Sequence, residues 1–163
     1  MAAVDAKTIQ EAQTMQQLQQ QSRQMTEKLD KLFQTLCLYV DRDELLELEN
    51  LLAVQEPEFL KKLMAYAPYD NWYGTILHYA ARWQHPKKCG CQFGERCGFV
   101  RPKNVRSFRV EIVEVLLSYG ADKTVKNYYE LTPYQDAKEE NDGRLFSNQY
   151  DERLPKLLEL LKP

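Results

Sequence analysis

The sequence predicts an all-α protein, and three observations predict it. The 163 residues include only 6 Gly beside frequent Leu, Gln, Glu and Lys, a balance that favours helices over sheets. Neither Gly nor Pro occurs before Pro57, so nothing breaks a helix over the first fifty residues. Beyond Asp41, short leucine-rich amphipathic stretches are joined by turn signals. A chain of this size has room for one compact domain with an arm. Its 44% hydrophobic and 11% aromatic content excludes wholesale disorder. No apolar run approaches the roughly 18 residues of a membrane-spanning helix, and Gln-rich sequence follows the first residues where a signal peptide needs an apolar stretch. A soluble intracellular protein, cytoplasmic or nuclear and without membrane contact, is expected.

The first element is a long helix over residues 1–40. Eight of the fifteen residues from Gln10 to Gln24 are Gln. Met15, Leu18, Ser22, Met25, Leu29, Leu32, Leu36 and Tyr39 follow a strict 3-4 spacing, a short heptad seam with Ser22 as its one polar intruder. Two coverings fit this seam: the chain's own C-terminal domain, or a helical partner, including a second copy. Leu29, Leu32 and Leu36 are its central residues. The part before Met15 lacks the seam and is expected to fray.

Residues 41–163 form the second unit. Asp43 is expected to cap a helix through Leu45, Leu46, Leu48 and Leu51 to about Ala53, and Pro57 to open another through Phe59, Leu60, Leu63 and Met64, the two forming a hairpin. After the aromatic turn Pro68-Tyr69-Asp70-Asn71-Trp72-Tyr73-Gly74 comes Thr75-Ile76-Leu77-His78-Tyr79-Ala80-Ala81. This segment resembles the Thr-Pro-Leu-His-x-Ala-Ala signature of the ankyrin-repeat family, with Ile76 in place of the proline. Residues 110–122 look like the outer helix and Gly-Ala-Asp turn of such a repeat, with Gly120 as C-cap. Residues 127–137 begin another, with Pro133 at its first helical position.

The resemblance implies a divergent stack of about three helix-turn-helix repeats, in which Thr75 caps a helix, His78 bonds back toward that cap, and Ala80 and Ala81 let paired helices approach closely. The chain departs from the family where Gln135 replaces its His, where Glu130 replaces its Gly, and in two insertions, residues 82–109 and 138–150. The hairpin from Asp43, ending in Ala65-Tyr66-Ala67-Pro68-Tyr69-Asp70, counts as a degenerate first repeat, the long helix as a cover for one end of the stack, and Leu157, Leu158, Leu160 and Leu161 as the inward face of the last helix.

The first insertion carries the densest chemistry. Cys89, Cys91 and Cys97 fall within nine residues, too crowded for a disulfide framework, and His85 precedes them in the spacing H-x3-C-x-C-x5-C. Three thiolates and one imidazole suit a tetrahedral Zn2+, and Gly90, Gly94 and Gly98 let the loop turn all four inward. Incidental thiols are the alternative. A site with four protein ligands leaves no position for water, so the expected zinc is structural. Residues 91–99 also resemble the core of Cys-Cys-Cys-His zinc fingers, which implies stacking roles for Phe93 and Phe99; Arg101 stands where that family has its His.

Residues 82–109 hold eight Lys or Arg and one Glu, a local charge of +7, which leaves the rest of the chain at −9 within a net −2. Lys87, Lys88, Arg96, Arg101 and Lys103 beside Phe93 and Phe99 give the combination of phosphate attraction and stacking used on single-stranded nucleic acid. The other reading is a solvated loop anchored by its aromatics.

No P-loop, Rossmann glycine pattern or nucleophile elbow is present, and the two histidines already have structural assignments, so no enzymatic activity is expected. The expected function is a protein-interaction adaptor that binds protein partners through Tyr69, Trp72, Tyr73, Tyr128 and Tyr129 on the turns between repeats. An RNA or single-stranded nucleic-acid module built on the basic zinc loop is the alternative.

Overall fold

A chain of good helix formers without Gly or Pro continues until a residue leaves helical geometry, and Asp43 is that residue. In the computed structural model, which describes residues 6–68, 74–82, 110–142 and 154–163, α1 (Ala6–Arg42) ends at Asp43 with φ 59°. The Asp43 amide donates to Val40 O and the Glu44 amide to Tyr39 O, the paired bonds of a Schellman ending. Asp43 was expected to cap the next helix; it terminates the previous one, and the N-cap of α2 (Leu45–Ala53) is Glu44, which makes no side-chain cap bond. An Asp tolerates the left-handed region well enough to take the place usual for Gly. At the other end the helix continues back to Ala6, where fraying was expected before Met15.

The remaining helices are α3 (Pro57–Ala65), α4 (Ile76–Ala81), α5 (Val110–Ser118), α6 (Pro133–Asp142) and α7 (Leu154–Leu161). The described residues contain no strand. Pro57 and Pro133 open their helices, where a missing amide costs nothing. Gly120, with φ 89°, closes α5 by a second Schellman pair, its amide donating to Leu117 O and that of Ala121 to Leu116 O. Helix α6 extends to Asp142.

The helices form two rows. In one, α4 lies between α1 and α6; in the other, α5 lies between α2 and α7. The rows are joined crosswise by α1 with α2, α4 with α5, and α6 with α7. Helix α3 packs against α1. The first cross-pair is therefore α1 with α2, where the sequence suggested α2 with α3.

One apolar cluster runs through the whole arrangement, with Leu36 and Val40 from α1, Leu48 and Leu52 from α2, Leu63 and Met64 from α3, and Leu157 and Leu161 from α7 all buried. Ala80, Ala81 and Ala137 are buried where α4 meets α5 and α6, since a methyl group lets helix axes approach more closely than a Leu does.

The seam on α1 is wider than the heptad reading. Leu29, Phe33, Leu36 and Val40 are buried, and Leu32, Cys37 and Tyr39 pack half-buried beside them. A straight helix against a domain buries a stripe about 100° wide, which admits Phe33 and Val40 next to the strict 3-4 positions. Three contacts pin this half of α1: Lys28 Nζ lies 4.2 Å from the Phe59 ring centroid, the Tyr66 hydroxyl donates to Asp30 Oδ1, and Tyr79 OH donates to Asp41 Oδ1 at 3.0 Å. Burial, then the hydrogen bond and the charge of Asp30, push the Tyr66 hydroxyl up to about 12.

Candidate functional site

The best-built surface feature is the turn that precedes α6. Its sequence, Asn127-Tyr128-Tyr129-Glu130-Leu131-Thr132, closes on itself through backbone bonds from Asn127 N to Leu131 O at 2.9 Å and from Glu130 N to Asn127 O at 3.1 Å. The buried Asn127 side chain fastens it from inside, Oδ1 accepting from the amides of Tyr129 at 2.9 Å and Leu131 at 3.1 Å. An Asn suits this place because its short carboxamide reaches amides two and four residues on. Glu130 holds φ 62°, a conformation that favours Gly, and its carboxylate lies 3.2 Å from Lys126 Nζ in an exposed pair.

Two side chains leave this rigid turn outward. Tyr128 is 73% exposed and Tyr129 52% exposed, and their rings stand edge to face with centroids 5.5 Å apart. Side chains so exposed recover little hydrophobic stabilisation from the fold, while their turn is held by four hydrogen bonds.

The turn is tied to the preceding one through His78. Thr75 caps α4 and His78 completes a capping box, with the Thr75 amide 3.3 Å and the Thr75 hydroxyl 3.0 Å from His78 Nδ1. His78 Nε2 lies 3.0 Å from Leu131 O, which can only accept. The proton therefore sits on Nε2, and Nδ1 accepts from Thr75. Burial holds the His78 pKa below its ordinary value, so the imidazole is neutral at pH 7. The cap of α6 repeats the device with an amide: Gln135 Oε1 accepts from Thr132 N at 3.0 Å, and the Gln135 amide donates to Thr132 Oγ1 at 3.3 Å. The expected substitution of Gln135 for His thus preserves the cap at α6, but its oxygen faces Thr132.

Two further contacts join the turns. Gly74, φ 85°, lies so close to Asn127 that a Cβ placed on it would come within 2.8 Å of Asn127 Cβ and 3.1 Å of His78 Nδ1. Arg82, just past α4, grips Asp136 in the first turn of α6 with two bonds, Nε to Oδ2 at 2.8 Å and Nη2 to Oδ1 at 2.7 Å. No sequence pattern marks the roles of Asn127, Arg82 and Asp136. The only local signal was their position beside the two Thr-started helices.

Of the sequence-derived candidates, the structure exposes Tyr128 and Tyr129 and buries Leu29 and Leu36, with Leu32 half-buried beside them. Tyr69, Trp72 and Tyr73 lie outside the described residues. So do His85, Cys89, Cys91 and Cys97, and with them Lys87, Lys88, Phe93, Arg96, Phe99, Arg101 and Lys103. Among the described residues no group of three His, Cys, Asp or Glu side chains could hold a metal ion, and no helix is long and apolar enough to cross a membrane. Comparison with known protein families, with curated proteins and with solved structures finds no match for this chain.

Proposed function

We propose that this chain is a non-enzymatic protein-interaction adaptor, an ankyrin-like stack that offers the tyrosines of its inter-repeat turns to a protein or peptide partner. The observation that carries the reading is the exposure of Tyr128 and Tyr129 on a turn whose backbone is already hydrogen-bonded in place. A partner that covers these rings gains their apolar area and loses little conformational entropy, because the turn is ordered beforehand. The proposal extends the same role to Tyr69, Trp72 and Tyr73, which precede α4 in the sequence. The ankyrin-like reading is supported by two Thr-capped helices beginning consecutive pairs, with His78 bonding from the first cap to the backbone before the second. The proposal includes a structural Zn2+ on His85, Cys89, Cys91 and Cys97 in the basic insertion.

The test is affinity capture with the full chain and with Y128A/Y129A, each shown by circular dichroism to keep the parent helicity, and each run with and without nuclease. Specific protein partners captured by the parent and lost from the double variant are expected. An identical set of partners on both would refute the role of the turn. Capture abolished by nuclease and untouched by the tyrosine changes would favour RNA binding through Lys87, Lys88, Arg96, Arg101 and Lys103 instead.

A further inference from the structure

The turn that carries Tyr128 and Tyr129 excludes most of the ways in which protein surfaces hold a peptide. A peptide that adds as a strand needs an open sheet edge, and the described residues contain no strand. A helix needs a groove for anchors spread over two of its turns, whereas Tyr128 at 73% and Tyr129 at 52% exposure stand out from the surface. Capture of a chain terminus in a backbone nest needs open amides, and those of Asn127, Tyr129, Glu130 and Leu131 all donate within the turn. A phosphorylated or acidic motif needs an arginine cluster. Residues 121–142 contain no Arg, and Lys126 is engaged by Glu130 at 3.2 Å.

We propose, resting on the adaptor reading of this turn, that its ligand is a proline-rich segment in the extended polyproline conformation. Such segments dock on exposed aromatic faces, which is what the turn offers. The two rings stand at 88° to one another with centroids 5.5 Å apart. A polyproline helix rises about 3.1 Å per residue, so prolines two positions apart lie about 6 Å apart along its axis, close to the spacing of the rings. That helix makes no internal hydrogen bonds, and its carbonyls accept from tyrosine hydroxyls. Charge agrees with the assignment. Lys126 and Glu130 cancel one another beside the rings, which suits an uncharged ligand. Little ordering accompanies binding on either side, because the turn is hydrogen-bonded in place and the pyrrolidine ring fixes φ in the ligand.

Two rings cover far less than the roughly 1,200 Å² of a stable interface, so binding is weak, with a dissociation constant on the order of 0.1–1 mM. The test is a two-dimensional amide NMR titration of the full chain with decaproline, up to about 5 mM, and separately with a Gly-Ser peptide of equal length. Decaproline should shift the amides around Tyr128 and Tyr129, and the Gly-Ser peptide should not. Raising NaCl to about 0.5 M should change the affinity less than about twofold, because no charge pair forms. In Y128A/Y129A, which replaces two exposed side chains, the affinity should fall at least about tenfold at unchanged helicity. No shift with decaproline, shifts that bypass Tyr128 and Tyr129, an equal response to the Gly-Ser peptide, full affinity in Y128A/Y129A, or a steep loss with salt would each overturn the assignment. Decaproline without effect, beside captured protein partners that still require Tyr128 and Tyr129, would refute the proline ligand and leave the adaptor reading standing.

Discussion

Removing Arg82 while keeping Asp136 should be among the most damaging single changes available to this protein. Asp136 is 2% exposed, and its carboxylate receives both bonds of a forked guanidinium at 2.7 and 2.8 Å. The Arg82 side chain keeps 20% of its surface in contact with solvent, against 3% for Asp136. R82M therefore strands a carboxylate that cannot reach water, at a cost of about 3–5 kcal/mol. D136L leaves an arginine that can swing outward, so its cost is smaller, about 1–3 kcal/mol. In R82M/D136L no buried charge remains, and its stability should lie well above that of R82M. For a chain of this length the R82M loss corresponds to a fall of roughly 6–20 °C in Tm. Urea unfolding followed by circular dichroism at pH 7, on the parent and the three variants, gives the coupling directly. An R82M cost under about 1 kcal/mol, or a double variant whose loss equals the sum of the two singles, would refute the assignment of Asp136 as a buried charge held by Arg82.

The His78 pKa is lowered on folding, so the stability its neutral form contributes is complete above the unfolded value of 6.5 and is lost as pH falls toward the folded value, at up to about 1.4 kcal/mol per pH unit. Urea titrations between pH 7.5 and pH 5, repeated on H78Q, check this (both pH values roughly bracket the ordinary His range); an equal acid slope in H78Q would assign it to other groups. Glu130 occupies φ 62°, and E130G should raise stability by about 0.5–1 kcal/mol, because the exposed pair it loses with Lys126 is worth less than the strain removed. A lower melting temperature for E130G would contradict that balance. Elemental analysis of the purified chain should find one equivalent of zinc, absent from C91S and C97S while helicity persists, because the core clusters on leucines of the helices. Metal retained by C91S/C97S would remove the proposed ligand set. If the basic residues of the same insertion bind RNA, log-log affinity should fall with salt by about 0.7 per phosphate contact.

Local chemistry was legible in the sequence because it acts over a few residues. The absence of Gly and Pro carries α1, Pro57 and Pro133 mark helix starts, Gly120 marks an end, and Thr75 with His78 makes a cap that needs no distant partner. The candidate surface was legible to the same depth: Tyr128 and Tyr129 sit on a turn that Asn127 closes within four residues.

The tertiary structure decided what depends on residues far apart in the chain. Asp43 serves α1 instead of α2 because the left-handed turn lets α2 fold back to pack against α1, a gain invisible to cap preference alone. The pairing of Arg82 with Asp136 spans 54 residues, and the bond from His78 to Leu131 spans 53. Neither spacing has a local signature, because a buried charge or imidazole selects its partner by where the helices bring it. The heptad seam shows the division most directly. Its period was written in Met15 to Tyr39, but whether a stripe is covered by its own chain is set by where the domain lies against the helix, and that boundary falls between Lys28 and Leu29.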